Sequence, residues 1–216
     1  MKKLLALAPA LFAASMASAT VPVYGSIGTP NNGVDESYGY YEAQESGTVY
    51  AWFLGKEASY RSVISLFVNG VKTAESPIFP NYLTAPGAQG ILGTVKKGDI
   101  LTLELTILHP WDVAGTVLSS VRANNADGNN HIYTERYYGG DFGIPTGDYL
   151  YVGFEDINGA RDPNFRNDWD YDDHRFVFDI KGLPAVPEPA TWLMMISGFG
   201  LVGLSARRRR RTHVAA

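Results

Sequence analysis

The pattern of hydrophobic and polar positions predicts β-strands over most of the chain. In its clearest stretch, Leu101, Leu103, Leu105 and Ile107 alternate with polar residues. Successive side chains of a strand point to opposite faces, so this alternation predicts a strand with one buried face. Between the two ends of the chain, no stretch carries the apolar spacing of an amphipathic helix over helical length.

A tight hairpin is predicted at Asn69 and Gly70, which separate the apolar runs 62–68 and 71–73. A type I′ turn needs positive φ at both central residues, and this dipeptide supplies it. Further strands are expected at 48–54, 91–95, 116–121, 131–138, 149–154 and 175–180. Many short strands between turn residues predict an all-β fold, an antiparallel β-sandwich of Greek-key or jelly-roll type.

The sandwich is expected to form one domain over residues 20–185. Residues 20–44 are rich in Gly, Pro, Ser and Tyr, which favours an irregular segment with at most one edge strand. Residues 123–130 read as a polar loop.

The N-terminus has the features of a secretory signal peptide at residues 1–19. Lys2 and Lys3 precede an apolar helical run, and Ala17, Ser18 and Ala19 form a small-residue cleavage site. The chain has no cysteine, so an exported domain must rely on its core, with or without a bound ion.

The C-terminus combines a proline-containing segment, an uncharged run and a block of arginines. Pro187, Glu188 and Pro189 precede a predicted membrane helix at 190–206, and five arginines follow at 207–211. A helix of this length reaches about 26 Å, just enough to cross a bilayer. The arginines are expected on the cytoplasmic side, which places the sandwich outside.

These three parts, in this order, resemble the PEP-CTERM sorting signal of Gram-negative bacteria. The resemblance implies an exported protein linked to exopolysaccharide and biofilm, first held at the inner membrane and then placed in the cell envelope or outside the cell. It also implies that an exosortase, a transpeptidase-like membrane enzyme, removes the tail near Pro187, Glu188 and Pro189. The alternative is an ordinary C-terminal membrane anchor.

Removing both ends changes the charge of the protein. The whole chain has a formal net charge of −4, whereas residues 20–187 carry 11 basic and 21 acidic residues, a net charge of −10. A surface this acidic repels phosphate backbones, which argues against nucleic acid as a partner.

The candidate chemistry lies in an acidic stretch near the end of the domain. Residues 155–179 contain eight carboxylates and three arginines, and the densest part reads Asn-Asp-Trp-Asp-Tyr-Asp-Asp-His at 167–174. Ca²⁺ takes six to eight oxygen ligands, and alternate aspartates around a curved loop can supply several of them.

This stretch also resembles the end of a bacterial surface β-sandwich module. The shared motifs are Gly-Phe-Glu-Asp at 153–156 and Asp-Trp-Asp-Tyr-Asp-Asp at 168–173, followed by Phe-Val-Phe. The chain departs from the module by having Asp172 where Asn is usual and by a longer insert at 158–167. The resemblance implies a Ca²⁺ loop joining two adjacent strands, with these ligands: Glu155, Asp156, Asp168, Asp170, Asp172 and Asp173.

Two other readings of the acids remain open. They can form a solvated loop paired with Arg161, Arg166 and Arg175. Alternatively, Glu155 and Asp170 can serve as the two carboxylates of a glycosidase. The three histidines of the domain have no metal-ligand spacing and are expected on the surface or in loops: His109, His131 and His174.

The sequence therefore predicts a non-enzymatic structural or adhesive protein, assisted by Ca²⁺. A carbohydrate-binding module is the second hypothesis, and a polysaccharide-active hydrolase is the third. A sugar-stacking platform for the second would come from aromatic residues whose rings suit pyranoses. The candidates are Trp52, Trp111, Trp169, Tyr38, Tyr40, Tyr41, Tyr137 and Tyr138. The alternative is that a sandwich without cysteine uses these large aromatics in its core and at strand edges.

Overall fold

The computed structural model describes residues 20–159 and 167–179. The predicted signal peptide, the Pro-Glu-Pro motif, the membrane helix at 190–206 and the arginine block lie outside these residues, as do Arg161 and Arg166. Within the described part, no helix has the length and apolar character needed to span a bilayer.

The described residues form an all-β structure with a single short 3₁₀ turn at Arg122–Asn124. The strands are β1 (Tyr41–Glu42), β2 (Gly47–Gly55), β3 (Arg61–Val68), β4 (Val71–Lys72), β5 (Gln89–Val95), β6 (Ile100–His109), β7 (Val117–Ser119), β8 (Ile132–Tyr137), β9 (Tyr149–Phe154) and β10 (His174–Asp179).

The strands are arranged in two antiparallel sheets, which confirms the predicted β-sandwich. The first sheet has the order β1-β6-β3-β4, with β7 also paired to β6. The second has the order β5-β2-β10-β9-β8. Several neighbours are far apart in the chain, so connections cross between the sheets, as in Greek-key and jelly-roll arrangements.

The main core lies between the sheets, and the alternation in β6 builds one side of it. Leu101, Leu103, Leu105 and Ile107 are buried, while the polar residues between them are partly exposed. Burying each such side chain contributes about 1.5–3 kcal/mol. The predicted hairpin also forms, with φ of 51° at Asn69 and 78° at the following glycine.

A second hydrophobic cluster covers the outer face of the second sheet. It is largely aromatic, and its buried members are Trp52, Leu54, Tyr137, Ile144, Tyr149, Tyr151 and Val177. Val21 from the N-terminal segment packs against it. Strand β9 is consequently buried along its whole length. This second layer adds apolar burial to a domain that has no disulfide.

Strands β9 and β10 define the two ends of the sandwich. His174, which begins β10, lies opposite Phe154, which ends β9. We call this the acidic end, because the acidic residues flank these two positions. Asp179, the last residue of β10, lies opposite Tyr50 at the other end, which we call the C-terminal end.

Candidate metal centre

The acidic residues meet because β9 and β10 are adjacent antiparallel strands. In such a pair, the segment after one strand and the segment before the other lie at the same end of the sheet. Glu155 and Asp156 follow β9, and residues 168–173 precede β10. The acidic segments therefore lie between two neighbouring strands, which is the position that the resemblance implied for the loop.

Three of the six predicted ligands form a cluster that could hold a metal ion. One carboxylate oxygen from each of Glu155, Asp168 and Asp170 lies within 4.8 Å of the other two. Glu155 is buried, Asp170 is half-buried and Asp168 is exposed. The cluster thus runs from the protein interior to solvent, which gives an ion a route of entry.

Two residues with positive φ shape the loop around Asp170. Trp169 has φ of 52° and Tyr171 has φ of 60°. A left-handed conformation at an ordinary L-residue costs about 1–2 kcal/mol, so neighbouring contacts must hold both residues in place.

Tyr171 supplies several of those contacts. Its side chain is fully buried, and its hydroxyl donates to the Asn130 carbonyl at 2.9 Å. The same hydroxyl accepts the Asn31 N–H at 2.7 Å. Its ring packs edge-on against Tyr24, with 4.8 Å between the centroids.

Gly153 allows the loop to approach the sheet. A Cβ at this position would lie 2.0 Å from the Tyr171 carbonyl oxygen, far inside van der Waals contact. Gly153 of the first sequence motif and Tyr171 of the second therefore pack directly against each other.

Glu155 is the residue whose environment most favours a cation. Its side chain is fully buried, and Oε1 accepts the Tyr171 N–H at 2.6 Å. Oε2 is buried, and no donor in the described part of the chain reaches it. Burial raises the pKa of Glu155 to about 8, and the charges of Asp168, Asp170 and Asp156 add to this effect. A buried oxygen without a partner is costly, and a bound cation would satisfy it.

Asp156 and Asp173 form a separate carboxylate pair beside the cluster. The Asp156 N–H donates to Asp173 Oδ2 at 3.0 Å. Burial raises the pKa of both carboxyl groups, and the negative charge of Asp156 raises that of Asp173 further. Asp156 Oδ2 is likewise buried and has no donor within the described part of the chain.

Asp172 lies at the edge of the cluster and orients Asp170. Its N–H donates to Asp170 Oδ1 at 3.1 Å, and its carbonyl accepts the Glu57 N–H at 3.0 Å. Burial and the neighbouring Asp170 charge raise the pKa of Asp172 to about 6.

The expectation for the histidines is wrong for His174, which begins β10, whereas His131 does lie in a loop, directly before β8. His131 and His174 are fully buried. His174 Nδ1 lies 2.8 Å from the Ser62 hydroxyl, and burial lowers the pKa of the ring to about 3. Both residues stand next to a strand terminus in the second sheet, where the core covers the side chain.

His131 and Asp127 adjoin the cluster, and neither was a predicted site residue. His131 Nε2 lies 3.0 Å from Asp127 Oδ2, and Nδ1 lies 3.3 Å from the Glu155 carbonyl oxygen. The Glu155 N–H donates to the His131 carbonyl at 3.0 Å. The pairing of β8 with β9 is the feature that could have identified His131, because it places the residue before β8 beside the residue after β9.

Most of the predicted sugar-stacking platform is used in packing. Trp52 and Tyr137 belong to the second cluster, and the Tyr38 hydroxyl bonds to Thr134. Tyr41 packs against the main core and Trp169 is half-buried, with its ring 5.4 Å from that of His131. The platform members that remain exposed are Tyr40, Trp111 and Tyr138.

Comparison with protein families identifies the C-terminal tail. The PEP-CTERM protein-sorting motif matches residues 185–210, so the predicted sorting motif is confirmed. This motif marks exported proteins that are sorted at the membrane, and it implies an exosortase as the processing partner. No curated protein matches the chain.

Two bacterial lectins are among the similar solved structures. One, from Chromobacterium violaceum in complex with alpha-methyl-fucoside, is 10% identical with a TM-score of 0.38, over 65% of this chain and 94% of the lectin. The other is a high-affinity mannose-binding lectin of Ralstonia solanacearum, 15% identical with a TM-score of 0.31, over 65% of this chain and 93% of the lectin. Similarity this low does not transfer their sugar binding to this chain.

Proposed function

We propose that this exported protein is a structural or adhesive component of the cell envelope or extracellular matrix, and that Ca²⁺ holds the acidic end of its sandwich together. The unpartnered Oε2 of Glu155, beside Asp168 and Asp170, is the observation that carries the proposal. At neutral pH, burial and the negative charges of Asp168 and Asp170 favour a proton on Glu155, and a divalent cation that replaces this proton turns the repulsion among the three groups into attraction.

Ca²⁺ suits the donors better than other common metals do. The cluster offers only carboxylate oxygens, which hard cations prefer, whereas zinc favours nitrogen and sulfur. Because Asp168 is exposed to solvent, water molecules can complete the coordination shell. The flexible coordination geometry of Ca²⁺ tolerates a mixture of carboxylate and water ligands. In this account Glu155, Asp168 and Asp170 bind the ion, Asp172 orients Asp170, and the Asp156–Asp173 pair lies outside the coordination shell.

The sorting tail sets where this role is performed. We propose that residues 1–19 are removed on export and that residues 20–185 form the mature domain. The segment at 190–206 then holds the precursor in the inner membrane until an exosortase cuts near Pro187, Glu188 and Pro189. The motif match at residues 185–210 supports this sequence of events.

A hydrolase is less well supported by the geometry. A glycosidase needs two carboxyl groups that both reach the scissile bond. Glu155 is fully buried and accepts a backbone N–H, so a sugar chain cannot reach it.

The proposal predicts that Ca²⁺ raises the melting temperature of the full chain. An ion that binds only the folded state stabilises it by about 2.7 kcal/mol at 100 times its dissociation constant. The measurement compares thermal melts in millimolar Ca²⁺ and in chelator. Glu155→Gln should abolish the shift, while Glu75→Gln, which removes an exposed carboxylate elsewhere, should keep it. A wild-type melt that is unchanged by Ca²⁺ would refute the ion site.

A further inference from the structure

A second surface at the acidic end carries exposed aromatic rings that the core does not use. Trp111, in the connection from β6 to β7, is 84% exposed, and Tyr82, between β4 and β5, is 43% exposed. An indole this open contributes little to the stability of the fold and is available to contact a ligand.

Polar side chains join the two rings into one strip. The Arg61 guanidinium lies over Tyr82, 4.9 Å from the ring centroid. Arg61 pairs with His109 across β3 and β6, and the His109 ring lies 5.9 Å from that of Trp111. We call these residues, together with the exposed Asp112, the Trp111 surface.

Buried neighbours hold Tyr82 in a fixed position. Asn81 is buried, its Oδ1 accepts the Ser62 N–H at 3.1 Å and its Nδ2 donates to the Tyr60 carbonyl at 3.0 Å. The Leu83 N–H closes a turn on the Pro80 carbonyl at 2.9 Å. Tyr82 therefore projects from an anchored turn.

Trp111 is anchored in a similar way. The next residue but one, Val113, is buried in the main core. Its N–H donates to the Pro110 carbonyl at 3.3 Å, which makes Trp111 the second residue of a turn. Backbone turns fixed in this manner lose little conformational entropy when a ligand binds, which favours affinity.

We propose that the Trp111 surface binds a chain of neutral pyranose residues. The apolar face of a pyranose ring stacks on an indole or phenol ring, and polar side chains beside it bond to hydroxyl groups. Arg61 donates, and Asp112 accepts. Because two stacking rings are separated by polar groups, the ligand spans several sugar units.

The negative charge of the domain favours a neutral polymer over the other ligands that bind exposed aromatic rings, which are polyanionic glycans and lipid surfaces. Residues 20–187 carry a net charge of −10, and Asp112 adjoins the indole. This field repels polyanionic glycans and anionic lipid surfaces, and it leaves a neutral polymer unaffected.

This site goes beyond the proposed ion site and does not depend on it. The Trp111 surface is built from the first sheet and its loops, whereas the acidic cluster belongs to the second sheet. Sugar binding is therefore expected in chelator as well as in Ca²⁺, so failure of one proposal is distinguishable from failure of the other.

The test is affinity electrophoresis of the full chain, in a detergent without a sugar headgroup, through gels containing dextran, laminarin, arabinoxylan, galactomannan or alginate. At least one neutral polymer should retard the wild type, and any retardation by alginate through the arginine block at 207–211 should be the same in Trp111→Ala. Trp111→Ala should weaken that binding by about tenfold or more, and Tyr82→Ala should also weaken it.

The matched control is Tyr138→Ala. Tyr138 is 47% exposed and lies under the Arg136 guanidinium at 5.1 Å, but it follows β8 at the C-terminal end. This variant should bind like the wild type, and all variants should melt as the wild type does. Retardation by none of the neutral polymers, or equal retardation of Trp111→Ala, would overturn the proposal. Binding to alginate or to phosphatidylcholine vesicles that requires Trp111 would overturn it too.

Discussion

At the scale of single residues, the acidic end depends on Gly153 as much as on its carboxylates. A glycine next to the carboxylates would ordinarily be attributed to loop flexibility, yet Gly153 lies within β9 and has the Tyr171 carbonyl oxygen where a Cβ would stand. The glycine thus lets the loop lie against the sheet, and the loop in turn brings Asp168 and Asp170 to Glu155.

We predict that Gly153→Ala destabilises the protein by about 2–4 kcal/mol, because the added methyl group must push the loop away from the sheet. It should also remove most of the stabilisation by Ca²⁺. Urea unfolding in Ca²⁺ and in chelator measures both effects. Gly47→Ala is the control, because no atom lies within 4 Å of its added Cβ, and it should change stability by less than about 1 kcal/mol. A Gly153→Ala protein as stable as the wild type would show that the loop does not need this close approach.

At the scale of elements, the acidic loop is held between the sheet and the N-terminal segment. The Gly28 N–H donates to the Asp168 carbonyl at 2.7 Å, and the Asn31 N–H donates to the Tyr171 hydroxyl at 2.7 Å. An irregular segment before the first strand therefore packs directly on the candidate ligands. The state of the ion site should be visible in that segment.

We predict that Tyr171→Phe speeds amide exchange at Gly28 and Asn31. The change leaves the Asn130 carbonyl and the Asn31 N–H without their partner, which costs about 1–3 kcal/mol. Hydrogen exchange read by mass spectrometry or NMR measures the effect.

The control for that measurement is Tyr133→Phe. The Tyr133 hydroxyl donates to Glu135, and both residues are half-buried, so solvent can replace the lost bond and no fully buried group is left unpaired. Exchange at Gly28 and Asn31 should then stay slow. Equal exchange in the two variants would mean that Tyr171 does not hold the N-terminal segment.

The same elements show what could be predicted from the sequence. The alternation in β6 and the Asn69 hairpin identify local structure, because strand periodicity and turn conformation are properties of short segments. The approach of residue 155 to residues 168–173 was predictable only through a motif resemblance. It depends on the pairing of β9 with β10, which has no local signal.

Burial of polar and aromatic residues could not be predicted in the same way. The sequence does not show that Val21 and Ile144 cover the outer face of the second sheet, so Trp52 and Tyr137 could not be told apart from exposed, sugar-stacking rings. Likewise, Glu155 lies in a run that looks polar and solvated. Its burial follows from the packing of the loop, which only the assembled sheets define.

At the scale of the whole molecule, the two candidate binding regions lie at the end of the sandwich opposite the last described residue, Asp179. The acidic cluster and the Trp111 surface are at the acidic end, whereas Asp179 ends β10 at the C-terminal end. A six-residue strand spans about 17–20 Å. The sorting motif at residues 185–210 follows Asp179 in the sequence, so the described part of the chain ends at the end of the sandwich that lacks the candidate sites.

The central claim is that a cation binds at Glu155, Asp168 and Asp170, and Tb³⁺ luminescence tests it most directly. Tb³⁺ takes the same oxygen ligands as Ca²⁺ and emits when an excited indole lies close to it. Trp169 stands between two of the ligands. We expect tryptophan-excited emission from Tb³⁺ bound to the full chain, displaced by Ca²⁺ and strongly reduced in Trp169→Phe and in Glu155→Gln. Only Trp169→Phe should keep the Ca²⁺ shift of the melting temperature. Emission that Ca²⁺ does not displace, or that survives in both variants, would contradict a cation at this site.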